Sequence, residues 1–256
     1  MEKIRYCRMS PEQSKCFSGF LKRYSLNKYN SSYKNEPAFF FGMYSRDLRR
    51  LLRHNPEVLA VVIWRGTDIL LSNHLETVMK LKNVRHVAIS SFIAKDLDKK
   101  GIEYKFIPIV GSDMSGIKPC KLGDEIYAYV PKERYDFYNG KLINKLRKLC
   151  KYKINVISSF CSRKKIIKIY RKCFCGLRLT PHDGIANMVI ELGLMGRKCF
   201  FNGSVPGAIP WKSTHDILKD IEEESINIGN INKKLSKEMK NYISIGDDWV
   251  YRHFWG

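Results

Sequence analysis

Two carboxylates, Asp183 and Glu191, lie in the stretch of sequence whose residue types are best suited to chemistry. A short apolar run ends at the turn T-P-H-D-G, and a helical pattern follows from about Ile185 to Met195. This pattern predicts Asp183 at the helix N-terminus and Glu191 about two turns along the helix. Eight helical positions rise about 12 Å and turn about 80° beyond two full turns, so the two carboxylates can contact one ligand only if that ligand is extended.

The residues around the turn favour an anionic ligand that carries hydroxyl groups. Gly184 and the amides after it are predicted to open the helix, where unpaired N–H groups and the helix dipole favour a pyrophosphate. Asn187 is predicted one turn in, close enough to add a donor. Carboxylates accept hydrogen bonds from vicinal hydroxyls, so a sugar and a ribose are natural targets for Asp183 and Glu191. His182 either contacts the ligand or transfers a proton near neutral pH, or is a turn histidine without such a role.

The elements that must position these residues alternate between strands and helices. Strands are predicted at 38–41, 58–64, 84–90 and 104–110, and again at 125–130, 153–159, 173–179 and 198–201. A stretch rich in Gly, Ser and Pro at 111–123 breaks this rhythm and predicts a linker. The sequence therefore predicts an α/β fold of two small Rossmann-like domains that face each other across a cleft. We expect an acceptor-side domain at 1–112, a nucleotide-sugar domain at 123–245 and a helix at 246–256 that returns to the first domain.

Ligands of parallel sheets bind beyond the carboxyl ends of the strands, and this rule indicates further candidates. Gly42 follows the first strong strand and would let the backbone approach phosphates. Asp68 follows the second and is either a general base for an acceptor hydroxyl or a turn cap. Cations follow the strands of the second domain: Lys132 or Arg134, Arg163 or Lys164, and Arg178. Each cation is either a phosphate ligand or an ordinary surface residue of a basic chain.

Charge is the unusual bulk property of the chain. The sequence has 46 basic and 25 acidic residues, which gives a formal net charge of +21. This charge favours a polyanionic partner, although a chain rich in Lys, Ile and Asn can also acquire it by compositional drift. Arginine clusters are harder to attribute to drift, and basic residues interleaved with tyrosines can bind nucleic acid. The candidates are Arg49, Arg50, Arg53, Lys22 and Arg23. For the segment that contains Lys22 and Arg23, the alternative interpretation is a mobile surface stretch without a binding role.

Cysteine and hydropathy patterns indicate a cytosolic protein with reduced thiols. None of the eight cysteines forms a C-x-x-C pair or has a histidine at zinc spacing. No apolar run reaches the roughly 20 residues that span a bilayer, and no apolar signal core follows the N-terminus. Asp247 and Asp248 do not form a convincing D-x-D metal motif, so we expect no essential metal.

The D-x7-E segment, with Gly184 after the first acid, resembles the E-x7-E region of retaining glycosyltransferases of the GT-B fold, with Asp183 in place of the first glutamate. The resemblance extends over about residues 120–220 and is only architectural before that. It implies that Asp183 faces the donor sugar, that Glu191 binds the ribose, that basic residues clamp the phosphates and that the donor is a UDP-sugar. It leaves the stereochemical outcome open.

The acceptor remains open between several classes. DNA glucosyltransferases of phages share the GT-B fold and are basic, which implies hydroxymethylated DNA as one acceptor. Glycan, protein or lipid-linked acceptors are alternatives, and a non-catalytic nucleic-acid-binding protein is another. Membrane association is less favoured because no amphipathic insertion helix is evident. The oligomeric state is not indicated.

Overall fold

The computed structural model describes residues 2–11, 14, 17–159 and 161–255, without the side chain of Ser72. The contacts within the chain define two compact units. The first unit comprises Met1–Asp113, His182–Ile185 and Ile243–Gly256, and the second comprises Met114–Pro181 and Ala186–Tyr242. Each unit is built around one parallel β-sheet, so the α/β class predicted from the alternating pattern is confirmed.

The first unit contains a six-stranded parallel sheet in the order β2-β1-β3-β4-β5-β6. Its central strands are continuous apolar runs because both of their faces are covered by other elements. Its strands are β1 (Tyr6–Arg8), β2 (Asn27–Lys28), β3 (Ala38–Phe41), β4 (Ala60–Trp64), β5 (Val84–Ala88) and β6 (Tyr104–Phe106). Its helices are α1 (Ser18–Arg23), α2 (Ser45–Leu51), α3 (Ser72–Met79) and α4 (Ser91–Asp98).

The N-terminal segment is part of the first core, which corrects the expectation of a mobile surface stretch. Strand β1 lies between β2 and β3, with Tyr6 paired to Asn27 on one side and to Ala38 on the other. Tyr24 and Tyr29 are buried in the core. Strands of two and three residues within polar sequence are too short to show an alternating pattern, so only the tertiary pairing reveals them.

The second unit contains a five-stranded parallel sheet in the order β11-β10-β9-β7-β8. Its strands are β7 (Glu125–Tyr129), β8 (Ile154–Ile157), β9 (Cys173–Leu177), β10 (Lys198–Phe200) and β11 (Ala208–Ile209). Its helices are α5 (Gly140–Leu149), α6 (Arg163–Arg171), α7 (Asn187–Leu194), α8 (Thr214–Ser225) and α9 (Lys233–Tyr242). Strand β11 is not among the strands that the sequence predicts.

Both sheets reverse their winding direction once. Numbered within each unit, the strands follow the order 2-1-3-4-5-6 in the first sheet and 2-1-3-4-5 in the second, which is the order of flavodoxin-like doubly wound folds. The reversal falls between β1 and β3 in the first sheet and between β7 and β9 in the second. Loops leave such a point in opposite directions, and the crevice between them is the usual ligand site.

Helix α7 begins later than the sequence pattern predicts. Its first residue is Asn187, and Ala186 before it has a non-helical ψ of 98°. Asp183 and Gly184 therefore precede the helix, Asn187 is the first helical residue rather than one turn in, and Glu191 lies about one turn along. The predicted position of Asp183 at the helix N-terminus is wrong because the segment His182–Ile185 is held in the first unit instead.

The C-terminal segment adds aromatic side chains to the first core. It forms two short 3-10 helices, Asp247–Val250 and Arg252–Trp255. Trp249 is buried against Phe20, Tyr24 and Phe39. The cysteines that the structure describes are free thiols, and Cys16 lies outside the described residues. No helix in the described part of the chain is long and apolar enough to cross a membrane.

Candidate functional site

Two predicted cations meet at the point where the second sheet reverses. Arg134 follows β7 and Arg178 follows β9, the two strands that flank the reversal. Both guanidinium groups contact the ring of Tyr138, at 5.8 Å for Arg134 and 4.5 Å for Arg178. Arg134 also lies 4.1 Å from the Phe137 ring. Stacking on aromatic faces orients the guanidinium planes, and a guanidinium group is suited to bind an anion.

The loop after β7 is held at this point by the side chain of Asn139. Lys132 and Arg134 are the ends of a short 3-10 helix and are exposed. Asn139 has a left-handed φ of 50° and donates from Nδ2 to the Leu179 carbonyl oxygen at 2.5 Å. This bond ties the loop after β7 to the segment after β9. The loop is therefore fixed at the crevice in which a phosphate ligand of the second unit would lie.

Glu191 and Arg163, both predicted to bind the donor, are in direct contact. Arg163 Nη1 donates to Glu191 Oε1 at 2.9 Å, and Arg163 Nη2 lies 3.4 Å from the Met114 sulfur. The hydroxyl of Tyr170 also hydrogen-bonds to the Glu191 carboxylate. Tyr170 in turn packs edge-on against Tyr127, with ring centroids 4.8 Å apart. A carboxylate has about four lone-pair sites, so these contacts orient Glu191 and leave it able to accept from a hydroxyl.

Burial controls the protonation of Glu191. Its side chain is 8% exposed, whereas that of Arg163 is 41% exposed. Burial raises the pKa of Glu191, and the charge of Arg163 and the hydrogen bonds from Tyr170 and Arg163 oppose this effect. The same burial raises the pKa of Tyr170, so its hydroxyl keeps its proton and donates. The cluster thus presents an oriented carboxylate that is costly to ionise without its partners.

Asp68 organises loops at the carboxyl edge of the first sheet. Its carboxylate is fully buried and accepts from the amides of Met43 at 3.1 Å, Arg65 at 3.1 Å and Gly66 at 2.8 Å. These amides belong to the loops after β3 and β4, and Gly42 enters the first loop with a left-handed φ of 82°. Burial raises the pKa of Asp68 despite these bonds. The geometry corresponds to the turn-cap alternative and not to a base that is open to an acceptor, because no face of the carboxylate is exposed.

The segment that carries Asp183 packs on the loops of the first unit. Ser90 Oγ donates to the Asp183 carbonyl oxygen at 2.9 Å. A methyl group on Gly184 would lie 1.7 Å from the Arg65 carbonyl oxygen, so only glycine permits this approach. Ile185 packs against the first core. The backbone of the turn is therefore fixed by the first unit, and this explains why the helix cannot start at Gly184.

His182 is oriented by an acidic partner. Its Nε2 lies 2.8 Å from Asp96 Oδ2, and its ring lies 5.5 Å from that of Phe92. Asp96 belongs to α4, whose N-terminus is capped by Ser90. A histidine held by a carboxylate keeps a defined ring orientation.

The reversal point of the first sheet is occupied by a buried ion pair. Arg8 ends β1 and its Nη2 lies 3.0 Å from Asp47 Oδ1 on α2, with both side chains almost fully buried. Burial lowers the pKa of Arg8 and raises that of Asp47, and their mutual attraction opposes both shifts. This pair fills the position that is a ligand crevice in many doubly wound sheets. The second sheet is therefore the better candidate for phosphate binding.

The predicted nucleic-acid residues separate into exposed and buried groups. Arg49, Arg50 and Arg53 are exposed on α2 and the turn that follows it. Lys22 and Arg23 are exposed on α1, and Arg23 donates to the Ile245 carbonyl oxygen at 2.9 Å. The tyrosines interleaved with these lysines are buried, as described above. A stacking platform for single-stranded nucleic acid is therefore not formed by them.

The sequence reasoning missed Tyr138 and Tyr170. Tyr138 brings Arg134 and Arg178 together, and Tyr170 orients Glu191. The aromatic run Y-D-F-Y directly after the predicted phosphate cations was an available signal for Tyr138. Among the residues that the structure describes, no group of three or more His, Cys, Asp or Glu side chains is placed to hold a metal ion.

Solved structures with the same arrangement of elements are glycosyltransferases. TarM covers 96% of this chain and is 11% identical to it at a TM-score of 0.59. The chain has the GT-B fold. An S. aureus TarM mutant in complex with fondaparinux, α-GlcNAc-glycerol and UDP covers 95% of the chain, also at 11% identity and a TM-score of 0.59. Sucrose-phosphate synthase from Thermosynechococcus elongatus covers 95% of the chain at 9% identity and a TM-score of 0.58.

The similarity is one of fold rather than of sequence. The chain spans 58% of the length of TarM and 76% of that of the sucrose-phosphate synthase. No protein-family model matches the chain, and no curated protein matches it in sequence. At this identity the fold is shared, and activity must be argued from the residues of this chain.

Proposed function

We propose that this protein is a glycosyltransferase that transfers a sugar from a nucleotide-sugar, a UDP-sugar, to an acceptor hydroxyl. The observation that carries the proposal is the contact between Arg163 and Glu191 in a chain with the GT-B fold. Both residues were singled out for donor binding from their positions in the sequence. The presence of UDP in the TarM mutant complex supports a uridine nucleotide.

The second unit supplies the groups that binding of a nucleoside diphosphate requires. Arg134 and Arg178, stacked on Tyr138 at the sheet reversal, are suited to the negative phosphates. Glu191 is suited to the ribose because its carboxylate accepts from vicinal hydroxyls. Lys132 lies on the same loop as Arg134 and adds a second cation. In this proposal Arg163 keeps Glu191 ionised and oriented, and the reaction needs no metal ion.

Asp183 is the residue that we assign to the sugar end of the donor. Its backbone is held by Ser90, so its side chain can be changed without loss of the bond that fixes the turn. His182 beside it is oriented by Asp96 and is the neighbouring group that can exchange a proton. The shorter Asp side chain at this position leaves both retention and inversion open.

A test of this proposal combines binding and turnover. Thermal-shift measurements with a panel of UDP-, GDP- and ADP-sugars should select one nucleotide, and donor hydrolysis or transfer should follow in the presence of a chelator. Asp183→Asn should reduce turnover by orders of magnitude while the unfolding temperature stays unchanged. Binding of no nucleotide, or turnover by the variant at the wild-type rate, would refute the assignment.

The acceptor that we propose is DNA that carries hydroxymethylated bases. The net charge of +21 and the exposed arginines of α2 favour a polyanionic acceptor. Transfer to hydroxymethylated DNA but not to plain DNA would support this acceptor. Transfer to a glycan or a lipid-linked sugar alone would replace it and leave the donor proposal intact, and nucleic-acid binding without any transfer would favour the non-catalytic alternative.

A further inference from the structure

Four arginines form one stripe along α2 and the turn that follows it. Arg46, Arg49, Arg50 and Arg53 have the spacing i, i+3, i+4 and i+7, which places them on one face of a helix. The helix ends at Leu51, but the amide of Arg53 still donates to the Arg50 carbonyl oxygen at 3.2 Å, so the turn continues. All four side chains are exposed. The stripe is about 10 Å long, from seven positions at 1.5 Å each.

The only acidic residue of this helix is removed from the stripe by burial. Asp47 points into the first unit and pairs with Arg8 at 3.0 Å. Leu51 is buried and Leu48 is packed against the same core, so the inner face of the helix is anchored. Within the described residues, none of the four arginines forms an ion pair with a carboxylate. The helix and its turn therefore present four exposed guanidinium groups and no exposed carboxylate, although the charge of Asp47 attracts Arg46 and Arg50.

We propose that the arginine stripe Arg46–Arg53 docks on the phosphate backbone of duplex DNA. One strand of a duplex presents a phosphate about every 3.4 Å of axis, so a stripe of about 10 Å faces roughly three phosphates of that strand. Guanidinium groups bind phosphates bidentately, which explains the use of arginine rather than lysine. This inference deepens the proposed function by locating a surface for the acceptor, but the binding itself requires no donor.

The structure favours a duplex over a single strand and over a membrane. Single-strand binding needs aromatic side chains on which successive bases stack. Tyr24 and Tyr29 are buried, and Tyr44 at the N-cap of α2 is exposed but supplies a single ring. Insertion into a membrane needs an apolar face, and the large apolar side chains exposed at α2 are Tyr44 at its N-cap and Leu52 at its end, which do not form a continuous apolar face. A backbone contact made by arginines alone requires neither feature.

The test is the salt dependence of DNA binding, measured by fluorescence anisotropy with a labelled 20-base-pair duplex and without donor. Each phosphate contact contributes about 0.9 to the slope of log K against log salt concentration, so Arg49→Gln/Arg53→Gln should reduce the slope by about 1.8. Arg49→Lys/Arg53→Lys keeps the charge and should keep the slope. These exposed residues make no contact with the Arg8–Asp47 pair, and circular dichroism checks that the variants are folded.

The matched control removes the same charge from another basic helix. Lys165 and Lys168 are exposed on α6, and Lys165→Gln/Lys168→Gln should leave the slope unchanged. An equal reduction of the slope in both double variants would show that binding depends on the overall charge of the protein and not on the stripe, and would overturn the proposal. No binding to the duplex at low salt, or tighter binding to single-stranded DNA or to phosphatidylserine vesicles, would also overturn it. Donor turnover on a small hydroxyl acceptor is unaffected by these outcomes, so the two proposals fail separately.

Discussion

Replacement of Glu191 by glutamine separates a ligand role from a structural role. The glutamine keeps the shape of the side chain and its acceptor oxygen but loses the charge that pairs with Arg163 at 2.9 Å. A hydrogen bond to a charged group contributes about 1.5–3 kcal/mol. If the carboxylate makes one such bond to the ribose, the Kd for UDP should rise by about 10- to 150-fold.

Stability should change much less than affinity. Because burial raises the pKa of Glu191, the folded protein holds this proton more tightly than the unfolded chain does. The stabilisation from this group is therefore fully present below the unfolded pKa, near 4.5, and is lost as the pH rises through the higher folded value. The glutamine variant lacks this loss, so at pH 7 its unfolding temperature should be no lower than that of the wild type.

Isothermal titration calorimetry with UDP at pH 7, beside thermal unfolding of the same samples, tests both expectations. Glu224→Gln is the matched control, since Glu224 also pairs with a cation, Lys198, at 2.6 Å in the same unit. Its UDP affinity should equal that of the wild type. An affinity of the Glu191 variant within twofold of the wild type, or an equal loss in the control, would refute the ribose assignment.

Three further predictions concern stability, measured by thermal or denaturant unfolding. Gly184→Ala should destabilise the protein by more than about 2 kcal/mol, because the added methyl group would overlap the Arg65 carbonyl oxygen at 1.7 Å. Arg197→Met should cost about 3 kcal/mol or more, because this fully buried guanidinium donates to the backbone carbonyls of several separate segments, which would lose their partner. Burial lowers the pKa of His86 to about 4, so its stabilising effect should be lost as the pH falls from about 6.5 to 4, and His86→Asn should flatten this part of the curve.

Controls for these variants come from positions without the same contacts. Gly116→Ala should be neutral, since nothing lies within 4 Å of the added methyl group. Arg171→Met should be nearly neutral because Arg171 is exposed. Equal losses of stability at the control and test positions would show that the assigned contacts do not stabilise the protein. An unchanged loss of stability at acid pH in the His86 variant would refute the role of His86.

The strands of the two sheets were predictable to different degrees. The runs A-F-F-F and A-V-V-I-W are long enough to identify β3 and β4 because their positions are buried on both faces. Strands β1, β2 and β11 have two or three residues, which is too few to show an alternation of apolar and polar positions. They form because a neighbouring strand supplies their hydrogen bonds, and no pattern in their own residues predicts this pairing.

The candidate site shows the same division. The sequence alone predicted the class of fold, a turn at Asp183, and Glu191 and either Arg163 or Lys164 as candidate donor ligands, because strand ends and helix faces follow from local periodicity. Only the tertiary structure decided that Asp68 is sealed by three amides and that α7 starts at Asn187. Burial and contacts between segments distant in sequence set these outcomes, and they depend on how the chain packs rather than on the type and spacing of neighbouring residues.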